Sequence, residues 1–140
     1  MPVADFLRPS VCNGHPMEQA LIRRWWHQVH GARGRIVWEY FLDECYADAV
    51  WFPDIEGVGE ECAGTRAHDR FPIEGQAVVL CEAKLRLNPE LIGQALVYGV
   101  LARSAGANVR STTVFAEKGS RPMLVAAKAL GLDVVLSHDA

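Results

Sequence analysis

Apolar positions along the chain change period several times, and each change marks an element. From Pro16 to His30, PMEQALIRRWWHQVH places Leu21, Ile22, Trp25, Trp26 and Val29 at helical spacing, and Gly31 closes the run. RIVWEYFL and CYADAVWF follow as β-branched and aromatic runs, which predicts two strands joined by a tight turn at Asp43-Glu44. AVVLCEAKL predicts a third strand. Asn88, Pro89 and Glu90 then supply an N-cap, a first-turn proline and a first-turn acid for a helix running to Ser104. RSTTVFAE predicts a fourth strand, Pro122 to Leu130 a short helix stopped by Gly131, and DVVLS a last strand. The expected architecture is α/β, in the order α-β-β-β-α-β-α-β. Three strands form an antiparallel meander, and a helical crossover leads from the third to a parallel fourth. Residues 1–15 read as an irregular N-terminal arm, residues 16–140 as a single domain, and residues 53–76, rich in Gly, Pro and charge, as a long loop.

The bulk numbers change this picture little. With 140 residues, half of them hydrophobic and 22% charged, the composition is that of an ordinary globular domain. A net charge of -3 excludes a protein that holds nucleic acid by bulk charge alone. Cys12, Cys45, Cys62 and Cys81 lack the paired spacing of a zinc or iron–sulfur site, so they read as free thiols in a reducing compartment. No apolar leader and no run near membrane-spanning length is present, so a soluble cytoplasmic protein without membrane contact is expected.

The chemistry begins where the third strand turns polar. Glu82 and Lys84 lie two apart and therefore share one face. Taken alone, the pair reads most simply as a solvated strand end or an isolated ion pair. Setting Phe52 and Ala77 as the bounds of the loop places Asp48 opposite Cys81, which brings it beside Glu82. Asp54, the rival acid, falls about 20 Å further along the hairpin. On the first helix Glu18 stands three, four and seven residues before Leu21, Ile22 and Trp25, on the apolar stripe, or it caps the first turn. Gln94 and Tyr98, at i and i+4, lie one above the other on the second helix, on a polar flank of its apolar stripe. Two hard carboxylates suit Mg²⁺ or Mn²⁺, and an adjacent ammonium can orient a water or neutralise charge developing on a phosphate.

Asp48, then Glu82-Ala83-Lys84, then Gln94-x-x-x-Tyr98, on this element order, resembles the PD-(D/E)XK nuclease superfamily, and most of all its RecB-like and lambda-exonuclease-like branch. The resemblance spans the chain from Pro16 onward, with Ala47 standing where the family name has Pro. It implies a restriction-endonuclease-like core with a mixed central sheet flanked by helices. It also implies a Mg²⁺- or Mn²⁺-dependent deoxyribonuclease that hydrolyses phosphodiester bonds. Asp48, Glu82 and the Ala83 carbonyl would bind the metal, Lys84 would serve the nucleophile, Glu18 matches the family's first-helix acid, and Gln94 and Tyr98 would lie near the site or the DNA strand. The alternative from another class is a catalytically inactive nucleic-acid-binding or assembly module of the same fold.

Arg23, Arg24, Arg33 and Arg35 lie in a stretch from Gln19 to Trp38 with no acid before Trp38. A basic face of that kind could follow a phosphate backbone, with Arg23, Arg24 and Arg35 as candidate contacts; a solvated polar face is the plainer reading. His27 and His30 lack a third ligand for zinc. The resemblance makes DNA the expected partner, and the small size leaves room for a homo-oligomer or for a second protein that delivers substrate.

Overall fold

The structure, a computed structural model, describes residues 1–64 and 71–137. Among these residues six strands form one mixed sheet with three α-helices. Helix α1 spans Pro16–His30, α2 Pro89–Ser104 and α3 Arg121–Ala129. The strands are β1 Arg35–Leu42, β2 Cys45–Phe52, β3 Glu60–Ala63, β4 Ala77–Arg86, β5 Asn108–Lys118 and β6 Asp133–Leu136, and the sheet order is β3-β1-β2-β4-β5-β6. The β1-β2-β4 meander is antiparallel, and β5 and β6 continue it in parallel after α2 and α3.

Local signals account for the boundaries. Gly31 ends α1 in the left-handed region at φ 60, where a side chain would be strained. The Asn88 side chain accepts the Leu91 amide and opens α2. Alternation in β4 then sends residues to two cores. Val79, Cys81 and Ala83 pack with Leu21, Ile22 and Trp26 of α1. Val78 and Leu80 pack with Val37, Val50, Phe52 and Ala102 on the opposite face, which α2 covers. Burying these side chains contributes about 1.5–3 kcal/mol each for the larger ones, and so fixes the strand register.

Two expectations are corrected here. The segment 53–76 is not all loop: Glu60–Ala63 forms β3, which pairs in parallel with β1, Arg35 opposite Glu60 and Trp38 opposite Ala63. Residues 65–70 of that segment lie outside the described residues. The arm is not wholly irregular either. Val3–Phe6 forms a 3-10 turn, and the carbonyl of buried Phe6 accepts a hydrogen bond from the Arg23 guanidinium at 2.9 Å. Among the described residues no helix is long and apolar enough to cross a membrane.

Candidate functional site

The geometry of the site begins with a break in the sheet. On β1 and β2, Trp38 pairs with Ala49 and Tyr40 with Ala47, while the step between them, Glu39 against Asp48, is missing from the ladder. Glu39 sits at φ 52, in the left-handed region where non-glycine residues are uncommon. The strand faces change hands at this step. Ile36 and Trp38 belong to the α1 core, yet Tyr40 and Leu42 belong to the other; Ala49 belongs to the α1 core, yet Ala47 does not. Glu39 and Asp48 therefore form a double irregularity that turns both acids out of the regular pleat. Gly64, just past β3, packs against this bulge so closely that a Cβ there would collide with the carbonyl oxygens of Trp38 and Glu39.

The β2–β4 ladder stops at the same level. Ala49, not Asp48, is opposite Cys81, one residue from the register expected from the loop. That slip matters, because residues directly opposite share a face and the expected register would have separated Asp48 from Glu82. Beyond Ala49 and Cys81 the side chains take over the backbone bonding. The Ala83 amide donates to Asp48 Oδ2 at 2.8 Å, and the Asp48 amide donates to Glu82 Oε1 at 3.0 Å. Each acid is held by the strand that carries the other.

Glu82 is 1% exposed and Asp48 is half-buried. Burial, then the charge of Asp48 beside it, holds the Glu82 carboxyl well above the usual carboxylate range. Burial also raises Asp48; the Ala83 amide, Glu82 and Lys84 pull it back, and Glu39 adds to the rise. Such a pair titrates as a unit, in two coupled steps. Glu18 joins this field from α1: burial raises its carboxyl, Asp48 raises it further, and His15 and Lys84 oppose them. Glu18, His15, Gln19, Glu39, Asp48 and Ala83 line a narrow cleft of about 10 Å³, the space of one water, between the start of α1 and the sheet.

Lys84, third member of the expected set, follows on β4. It favours the ionised forms of Asp48, Glu82 and Glu18, and its ammonium forms an ion pair with Glu90 of α2 at 3.6 Å. The Gln94 amide also faces Glu90, at 3.5 Å. Tyr98, one turn on, packs against the α2-side core, and its hydroxyl is pushed up by burial and then by Glu82, with Asp48 contributing. Asp48, Glu82, Lys84, Glu18 and Tyr98 therefore share one electrostatic neighbourhood, and Gln94 stands at its rim.

The expected basic contacts are placed differently. Arg23 is 1% exposed and forms a two-pronged pair with Glu61 of β3, Nε and Nη2 each 2.9 Å from a carboxylate oxygen. It lies over the Trp38 ring at 5.1 Å, and Trp38 Nε1 donates to the same carboxylate at 2.7 Å. Arg24 is also buried and donates to the Ser137 carbonyl. Neither forms a solvated face or reaches a ligand on the surface. Arg35 is half-buried, over Phe71 and 4.0 Å from Glu60. His27 and His30 pack against tryptophan rings.

Sequence reasoning missed Glu39 and His15. Glu39 had a signal: it is the one acid in the aromatic run of β1, where a strand facing two cores has no solvated side to give it. His15 had none, since its place depends on how the arm docks. Among the described residues, no three His, Cys, Asp or Glu side chains converge as a ready set of metal ligands. No protein-family model, curated protein or solved structure matches the chain.

Proposed function

We propose that the chain is a metal-dependent nuclease of the PD-(D/E)XK type, with a restriction-endonuclease-like core, hydrolysing phosphodiester bonds of DNA. The observation that carries the proposal is the reciprocal capture of Asp48 and Glu82. Two acids, far apart in sequence, are fixed side by side at a gap in the sheet, where burial raises both and the charge of Asp48 raises Glu82 further. A structural ion pair does not need two like charges in one place.

The donor set fits a hard divalent cation. Mg²⁺ keeps several waters and is commonly held by only one or two carboxylates, so a third ligating side chain is not required. Asp48, Glu82 and the Ala83 carbonyl would hold Mg²⁺ or Mn²⁺, which when bound would polarise a phosphoryl oxygen and acidify a water. The chain's own groups supply the rest. Lys84 offsets negative charge that builds on the phosphate, and its tie to Glu90 aims the ammonium. Glu18 closes the acid cleft from α1. Tyr98 and Gln94 line the approach from α2, where a strand of nucleic acid would lie. The order of a meander, a helical crossover and a parallel strand also supports the family reading.

Incubation of plasmid and linear DNA with Mg²⁺ or Mn²⁺ tests this. Cleavage should require the cation and fall by about 10²–10³ in Lys84→Ala, the size typical of losing one charge-stabilising group. Glu82→Gln should be inactive while folded. Full activity in either variant overturns the mechanism. The Lys84–Glu90 ion pair favours a second reading, an inactive nucleic-acid-binding module in which the lysine is structural. That module binds DNA and cuts none, with any cation.

A further inference from the structure

With Arg23 and Arg24 buried, a nuclease of this fold needs another surface for the phosphate backbone, and the sheet offers one. Arg86 ends β4 and Lys118 ends β5, and the two are register partners whose side chains leave the sheet on the same face as Glu82 and Lys84. Arg121 opens α3 three residues after Lys118. All three are exposed, and none has an ion-pair or hydrogen-bond partner among the described residues. Elsewhere in this acidic chain Arg8, Arg23, Arg35, Lys84 and Arg110 are each paired with a carboxylate.

The place is shaped as well as charged. Arg86, Leu87, Lys118, Gly119 and Ser120 line an open hollow of about 290 Å³ at the adjoining ends of the two parallel strands. The Leu87 amide bonds the Lys118 carbonyl at 2.9 Å and holds the ends together. A side chain on Gly119 would press on Leu87 at 3.1 Å, so the turn stays low beside the cations. Arg86 lies two residues beyond Lys84, about 7 Å along the strand at 3.2–3.4 Å per residue.

We infer that Arg86, Lys118 and Arg121 form a ledge that binds the sugar-phosphate backbone of a nucleic-acid strand beside the phosphate to be cut. The identity of the anion rests on the nuclease reading; the gathering of unpaired cations does not. The ledge accounts for substrate binding by a chain of negative net charge, because only local charge meets the strand.

Fluorescence anisotropy with a labelled single-stranded DNA, in EDTA so that nothing is cut, tests the ledge on the full chain. Arg86→Ala/Lys118→Ala should bind roughly fivefold more weakly per lost contact at about 0.1 M salt, with the slope of log affinity against log salt shallower by about 0.7 per contact. Lys128→Ala, an exposed charge further along α3, should bind like the wild type, and circular dichroism should show all variants folded. Wild-type affinity and slope in the double variant, an equal loss in Lys128→Ala, or no binding by the wild type would each overturn the ledge. If the ledge variant loses binding while the wild type cuts nothing, the nuclease reading fails and the ledge stands. If cutting depends on Glu82 while the ledge variant binds normally, the reverse holds.

Discussion

Replacing Glu82 by Gln should make the protein more stable and inactive at the same time. Gln keeps the volume and keeps an oxygen to accept the Asp48 amide, now at 3.0 Å from Glu82 Oε1. It removes one of two like charges. Opposed strand positions hold their Cβ atoms about 5 Å apart, and two unit charges at that separation repel by about 3 kcal/mol at an effective dielectric of 20. That figure is the ceiling of the gain, since the pair already relieves part of the repulsion by keeping a proton. Glu82→Ala removes the same charge but also the acceptor and the side-chain volume. It should fall below Glu82→Gln by about 1–3 kcal/mol, the cost of an orphaned amide.

The pH dependence gives the sharper test. The folded-state value of Glu82 lies well above the ordinary one. Between the two, the folded chain holds a proton that the unfolded chain has released. Stability from this group is therefore complete below the ordinary carboxylate range and declines as pH rises through the folded value. Asp48, raised in the same way, adds to the decline. Urea unfolding followed by tryptophan fluorescence, in EDTA at about pH 5 to about pH 9, should show wild-type stability falling with pH and a much flatter Glu82→Gln profile. A variant less stable than the wild type at the alkaline end, or parallel profiles, would refute the account of the acid pair.

Two other outcomes are expected. Adding Mn²⁺ or Mg²⁺ at about a hundredfold its Kd should stabilise the wild type by about 2.7 kcal/mol and leave a Asp48→Asn/Glu82→Gln variant unchanged, read as a shift in Tm; an equal shift in both would place the cation elsewhere. Glu61→Ala should destabilise the fold by about 3–5 kcal/mol, because it strands a buried guanidinium at Arg23 that is bonded to both Glu61 oxygens. Its DNA affinity, measured while folded, should be unchanged, and a selective loss of affinity would return Arg23 to the binding surface.

Elements with strong local signals were readable from the sequence. The limits of α1, β1, β2 and α2 follow from helical spacing closed by Gly31, aromatic alternation around the Asp43 turn, and the Asn88-Pro89 start. Strand β3 was not, because four half-exposed residues with two acids show no alternation, and their pairing with β1 supplies what their sequence lacks. Arg23 misled for the same reason: its partner, Glu61, sits on that unread strand. In the candidate site, Asp48, Glu82 and Lys84 could be brought together from hairpin arithmetic, but the faces could not. A strict period of two assigns each residue a side, and the bulge at Glu39 and Asp48 reverses that assignment halfway along both strands.

That reversal also explains why the acids stay together without help. In a regular ladder, carbonyl oxygens would accept the amides of Asp48 and Ala83, and the two carboxylates would be free to swing apart. Here the carboxylates are the acceptors. Moving either acid away leaves an amide unbonded between packed strands, at about 1–3 kcal/mol each, which is of the same order as the repulsion that drives them apart. The hydrophobic faces on both sides of β4 keep the strands from spreading to relieve it. The backbone thus fixes the spacing of the charges in advance, so a cation arriving between them would need little rearrangement of the protein. Strain at Glu39 and the close approach of Gly64 belong to the same construction, since without the bulge Asp48 would return to the pleat and its carboxylate would lose the Ala83 amide.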